Sequence, residues 1–198
     1  MSATTTTTTF QAALESRPKR ADARRNYDKV LAAAREAFAE GGAATSLEEI
    51  ARRAGVGIGT LYRHFPNRQT LIEAVYVDEL ESLCSSTAAL DGLEPGDALV
   101  AWLHRFVGYM GTKQALAHEL LEYVGRDAPL FISCRAALTA AGEPLLERAQ
   151  QAGAVRPDTD FGDVLQLVGG IAKITGAEPE QIHRILDIAL DGLRPRSS

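Results

Sequence analysis

Residues 58–64, IGTLYRH, bring together Thr60, Tyr62, Arg63 and His64, four side chains that donate hydrogen bonds. They stand in the stretch GVGIGTLYRHFPNR, whose glycines are poor helix formers, each costing about 1 kcal/mol against alanine in a helix interior. A short helix built on such residues must be held by its neighbours. Bond-making chemistry has no comparable cluster. The four histidines are scattered, and neither Cys84 nor Cys134 has a basic neighbour at a useful spacing. No metal-ligand spacing appears either. An all-α enzyme is therefore unsupported: no catalytic residue, metal or cofactor is expected.

Charge points to what the donors meet. The net charge of -5 hides an asymmetry. Residues 17–68 hold eleven Lys/Arg against six Asp/Glu, whereas residues 69–198 hold ten against nineteen. A basic N-terminal third on an acidic body suits a polyanion contact at one end. By charge alone, a solvated basic helix face would look the same. Two cysteines make no disulfide framework, so a reducing cytoplasmic setting is expected. No apolar run approaches the ~20 residues of a membrane span. The start, MSATTTTTTF, reads as a disordered arm over residues 1–20 rather than a signal peptide.

The elements that position the donors are helical. In YDKVLAAAREAFAEGG, Tyr27, Val30, Leu31, Ala34, Ala37 and Phe38 recur at three- and four-residue steps, one apolar stripe. Ser46 and Glu49 stand at capping-box spacing before a two-turn helix with Ile50, Ala51 and Ala54 inward. Gly55 supplies a tight turn, and a third helix runs from about Ile58 to His64 with Leu61 and Phe65 inward. Pro66 stops it, Asn67 caps the next helix, and that helix runs from Arg68 to about Ser86. After the loop DGLEPGD, helical segments are expected near 96–111, 113–124, 128–140 and 142–153. Two last helices are expected near 160–175 and 178–192. The fold is expected to be all-α, with a small basic domain over 21–68 and a larger helical one over 69–198.

Two short helices around a glycine turn make a helix-turn-helix. The run LAAAREAFAEGGAATSLEEIARRAGVGIGTLYRHFPNRQTLIEAV closely resembles the DNA-binding domain of TetR-family transcriptional regulators. The likeness covers residues 24–75 without a gap and matches the family pattern at Gly59, Thr60, Leu61, Tyr62, His64, Phe65 and Pro66. It implies a three-helix DNA-binding head on an all-α ligand-binding and dimerisation domain, with double-stranded operator DNA as partner. Carried over position by position, Thr45 and Ser46 would meet a phosphate at the start of the second helix. Tyr62 and His64 would hold phosphates, and Thr60 a phosphate or a thymine methyl. Gly59 would remove a side chain where helix meets DNA. Arg68 replaces the lysine that usually grips the DNA backbone. Arg63 can pair with guanine O6 and N7 together, or hold another phosphate.

Two positions depart from the family pattern. Gly57 stands where many relatives have a capping serine. Ile58 stands where a polar residue is frequent, and either touches a thymine methyl or packs inward beside Leu61. Upstream, Arg17, Lys19, Arg20, Arg24 and Arg25 form either a minor-groove arm or a flexible cationic one.

The resemblance further implies a small-molecule effector in the acidic body. Candidate lining residues are Trp102, Phe106, Tyr109, Met110, Leu120, Tyr123 and Phe131, with Leu116 and Leu138; ordinary core packing is the alternative for each. His104, His118, Glu119 and Glu122 are polar candidates on the same segments. The segment PLLERAQQAGAVRPDTDFGDVLQLVGG resembles the C-terminal region of a large TetR-like subgroup, which implies a homodimer through the last two helices, about 160–193. Its apolar candidates are Val164, Leu167, Val168 and Ile171, then Ile182, Ile185, Leu186, Ala189 and Leu193. A ligand-responsive regulator, more often a repressor, follows. A metal-responsive variant, or a redox-responsive one through Cys84 or Cys134, is the alternative.

Overall fold

The computed structural model describes residues 9–41, 45–125 and 128–195; the side chains at 112–115, 117–119, 122 and 124 lie outside the description. His118, Glu119 and Glu122 therefore fall outside the described side chains. The helices are α1 (Phe10–Glu15), α2 (Ala21–Gly41), α3 (Leu47–Ala54), α4 (Ile58–His64), α5 (Arg68–Ser85), α6 (Pro95–Val124), α7 (Pro129–Gln151), α8 (Phe161–Ile171) and α9 (Pro179–Asp191). A 3-10 turn, Ser86–Leu90, links α5 to the loop before α6. The described residues contain no strand, as the helical periodicity implied.

The chain packs as two compact units. One combines residues up to Leu80 with 112–136; the other combines 81–111 with the chain from Ala137 onward. In the first, every residue of the α2 stripe is buried: Tyr27, Val30, Leu31, Ala34, Ala37 and Phe38. Ile50 and Ala51 of α3, Leu61 and Phe65 around α4, and Leu71, Ile72 and Val75 of α5 complete this core. In the second unit, Trp102 is fully buried between Phe106, ring centres 5.9 Å apart, and Phe161, 6.0 Å away.

Three expectations need correction. Residues 96–124 do not break near residue 112, because α6 runs through from Pro95 to Val124. Buried Val107, Met110, Leu116 and Leu120 offset the small cost of Gly111 within it. Nor does the chain break at residue 141, because α7 is continuous and carries Pro144 inside it. Gly142 belongs there for packing: a Cβ on it would lie 2.2 Å from Phe161 and 2.7 Å from Trp102. Finally, the expected disordered arm is ordered over its described part. Thr9 caps α1 through its side-chain oxygen, and the Phe10 backbone N–H donates to Ser133 Oγ at 2.9 Å. Arg17 then pairs with Asp78 at 2.9 Å.

Candidate nucleic-acid interface

The turn between α3 and α4 follows from its residues. Ser46 caps α3, its hydroxyl oxygen accepting from the Glu49 N–H at 3.1 Å. The reciprocal half of the capping box is absent, because the Glu49 carboxylate accepts from Arg52 and Arg53 instead. Those hydrogen bonds hold the Glu49 carboxyl down to about 2. Gly55 ends α3 in the left-handed region at φ 65°, a conformation that costs glycine least. Its N–H and that of Val56 return to carbonyls of α3. Gly57 then caps α4 without a side-chain bond.

Two anchors fix the face that α4 presents. Leu61 is fully buried, and Phe65 lies against Tyr27 with ring centres 4.9 Å apart. With those inward, Ile58, Gly59, Tyr62 and Arg63 are exposed and Thr60 is half-exposed. Tyr62 is 43% and Ile58 38% accessible, so Ile58 does not pack inward beside Leu61. A Cβ on Gly59 would meet nothing within 4 Å. The absent side chain therefore leaves the outer face of the helix open to close approach.

The cations of this unit divide sharply. Arg17 and Arg35 share the carboxylate of Asp78, and Arg35 also pairs with Glu79. Arg53 bridges Glu49 and Glu40. Arg68 donates to the Thr45 carbonyl at 2.5 Å and lies over the Phe38 ring, so it ties α5 to α2 and the start of α3. Arg63, exposed like Lys19, Arg20 and Lys29, makes no side-chain hydrogen bond or ion pair among the described residues, but it alone of these stands on α4. Its guanidinium keeps all five donors for an external acceptor.

The remaining polar candidates are unequal. Thr45 donates its hydroxyl hydrogen to the Ala37 carbonyl at 3.1 Å, leaving none for a phosphate in this conformation. Ser46 uses only its oxygen as acceptor and keeps its hydrogen. His64 is half-buried, edge-on to Tyr27 at 6.0 Å between ring centres. Burial, and then the Arg63 charge, push its imidazole below the ordinary histidine value. At neutral pH it is therefore an uncharged donor, not a cation. Tyr27, which sequence reading took only for core, orders this corner by touching both His64 and Phe65.

Similar proteins place the chain in a family. Residues 30–75 match the family described as bacterial regulatory proteins, tetR family. Residues 94–195 match the C-terminal domain described as transcriptional regulator SbtR-like. The TetR transcriptional regulator SCO0520 from Streptomyces coelicolor is 42% identical, with a TM-score of 0.76 over 86% of this chain and 99% of its own. The chain belongs to the TetR family. A TetR regulatory protein from Mycobacterium vanbaalenii is 36% identical, with a TM-score of 0.72 over 90% of this chain and all of its own. The transcriptional regulator UidR of Escherichia coli K12 is 26% identical over 175 residues, 84% of this chain and 88% of its own. As a TetR-family member, this chain is a DNA-binding transcriptional regulator and not an enzyme.

The TetR body distributes the candidate effector residues over both units. Trp102, Phe106, Tyr109 and Met110 are buried in the second. Leu120, Tyr123 and Phe131 belong to the first, where Leu120 is buried and Phe131 is edge-on to Tyr76 at 5.6 Å. Tyr123 is exposed at 47%, which does not suit an enclosing wall in this conformation. The Trp102 indole N–H is buried without a hydrogen-bond partner among the described residues. Cys84 is half-buried and Cys134 buried. Burial, with Glu81 nearby, pushes the Cys84 thiol up to about 11, so the reactive thiolate is scarce at neutral pH.

On α8 and α9, most of the apolar dimer candidates face their own subunit. Val164, Val168, Ile171, Ile182, Leu186 and Leu193 are buried. Leu167 is exposed, and Ile188, missed by the sequence reading, is 73% exposed. Its signal was present in the i, i+3 step from Ile185. No described helix is long and apolar enough to cross a membrane.

Proposed function

We propose that this regulator is a homodimeric repressor that reads its operator with α4 and releases it when a small molecule binds the body. The observation that carries the reading is Arg63: an exposed, unpaired guanidinium on a helix anchored by Leu61 and Phe65. Such a group pairs bidentately with guanine O6 and N7 in the major groove. Tyr62, His64 and Ser46 supply donors for phosphates around it. Arg68 contributes by holding α5 to Thr45, and its charge adds to the phosphate field.

The dimer forms through the last two helices, about 160–193, with Leu167, Ile185, Ile188 and Ala189 offering apolar surface. Its purpose is geometric, since two recognition helices must reach major grooves about 34 Å apart. The effector is an apolar molecule with a hydrogen-bond acceptor, for which the buried Trp102 N–H supports a place among Phe106, Tyr109 and Met110. Its binding shifts the population toward a dimer whose heads are wrongly spaced, for which a few kcal/mol of differential affinity suffices. The regulator acts in the cytoplasm. Genomic footprinting with the purified protein tests this reading: a palindromic protected site supports it, and uniform non-specific protection contradicts it. The thiol-sensing alternative gains nothing from a Cys84 that stays protonated.

A further inference from the structure

We propose that His104, His183 and Asp187 form a proton-operated latch between α6 and α9, which accepts one proton with its bridge intact and opens on the second. His104 Nδ1 lies 2.7 Å from His183 Nδ1, and His104 Nε2 lies 2.8 Å from Asp187 Oδ1. A carboxylate only accepts, so His104 Nε2 carries the hydrogen. In the neutral ring His104 Nδ1 is then the acceptor, and His183 Nδ1 donates to it. This tautomer assignment is the one that satisfies both contacts.

The two rings meet head-on. Their centres are 5.0 Å apart, which is the 2.7 Å nitrogen separation plus about one ring radius at each end. The facing nitrogens therefore lie near the line of centres, the geometry of a straight N–H···N bond. The same geometry disfavours a metal. An ion about 2.0–2.1 Å from each of two nitrogens facing in line would need them roughly 4 Å apart. Among the described residues, no three His, Cys, Asp or Glu side chains group to hold one.

Proton arithmetic gives the latch its behaviour. A first proton goes to His183 Nε2, which has no partner among the described residues. The bridge becomes a charge-assisted N–H···N bond, backed through His104 by the Asp187 carboxylate. A second proton has one remaining basic nitrogen, His104 Nδ1, which already faces the His183 N–H. Two N–H groups and two positive charges then oppose each other across 2.7 Å, and the bridge separates. The other charged groups near by are otherwise engaged or exposed. Arg105 on α6 donates to the Ser86 carbonyl. Glu180 and Arg184 on α9 are exposed, and on α8, which packs on α9, Asp163 sits exposed in the first turn.

The latch joins the helix carrying Trp102 and Phe106 to the helix carrying Ile188. Its effect on the dimer rests on the proposed interface; the latch itself does not. The test is a pH titration of the full chain by NMR, reading the ring nitrogens of both histidines and the amide exchange of Leu186 and Leu190. The expected result is two separate protonation steps, with α9 exchange rising at least tenfold across the second alone. His104→Asn and His183→Asn should abolish that step. Asp187→Asn alters an exposed side chain and removes the carboxylate that favours a charged His104, so it should move the opening to lower pH. Two rings titrating independently, or α9 exchange rising equally in wild type and variants, would overturn the proposal. Sedimentation over the same range reports the dimer separately: a monomer throughout contradicts the interface and leaves the latch result standing.

Discussion

Arg68 and Phe38 are stacked, the guanidinium carbon 5.4 Å from the ring centre, while the same guanidinium donates to the Thr45 carbonyl. One cation thus joins the start of α5, the core of α2 and the entry to α3. The positively charged residue that sequence likeness assigns to DNA also holds the reading head together. Arg68→Ala should destabilise the protein by about 1–2 kcal/mol through lost stacking and an orphaned carbonyl. Arg68→Lys keeps the charge without the flat stack and should recover only part. Denaturant midpoints measured beside DNA affinity separate the two roles: a loss of affinity with unchanged stability would contradict the structural one.

Gly142 should not tolerate a side chain. Alanine there would drive a methyl into Phe161 and Trp102, at distances real Cβ atoms do not reach. Overpacking of this kind costs about 1–3 kcal/mol. Gly142→Ala should lower the melting temperature, and Trp102 fluorescence should shift with it. An unchanged melting curve would mean the aromatic cluster yields easily.

His64 gives the head a pH dependence with a definite sign. Its imidazole lies below the ordinary value near 6.5, so the unfolded chain takes up a proton first as pH falls. Stability is present above about 6.5 and is lost as pH falls toward the lowered folded value. Once protonated, His64 adds a positive charge near the phosphates. The salt dependence of DNA binding should then steepen between pH 7.5 and 5.5, and His64→Gln should remove that change. Equal slopes in wild type and variant would show that His64 does not titrate at the interface.

Much of this was legible in the sequence because it depends on local rules. The α2 stripe, the Ser46 cap, the Gly55 turn and the inward pair Leu61 and Phe65 each follow from spacing within one or two turns. What escaped depended on long-range packing. Residues 128–140 and 142–153 read as two separate helices, but α7 runs through, with Gly142 packed under Trp102 and Phe161. Residues 9–17 read as a loose arm, but Ser133 and Asp78 fasten them. Arg17 reads as part of a cationic arm, but Asp78 on α5 engages it. Arg63 stood among eleven cations, and only the folded chain shows that it is left free.

The central claim is that Arg63 reads the operator through α4. The most direct test is the affinity of wild type and Arg63→Ala for the footprinted operator and for a scrambled duplex, at one fixed salt concentration. A bidentate guanine contact contributes about 1–3 kcal/mol of discrimination, or roughly 5- to 150-fold. The variant should lose that factor on the operator while its binding to the scrambled duplex falls much less. Equal losses on both duplexes would assign Arg63 to the phosphates and contradict the account.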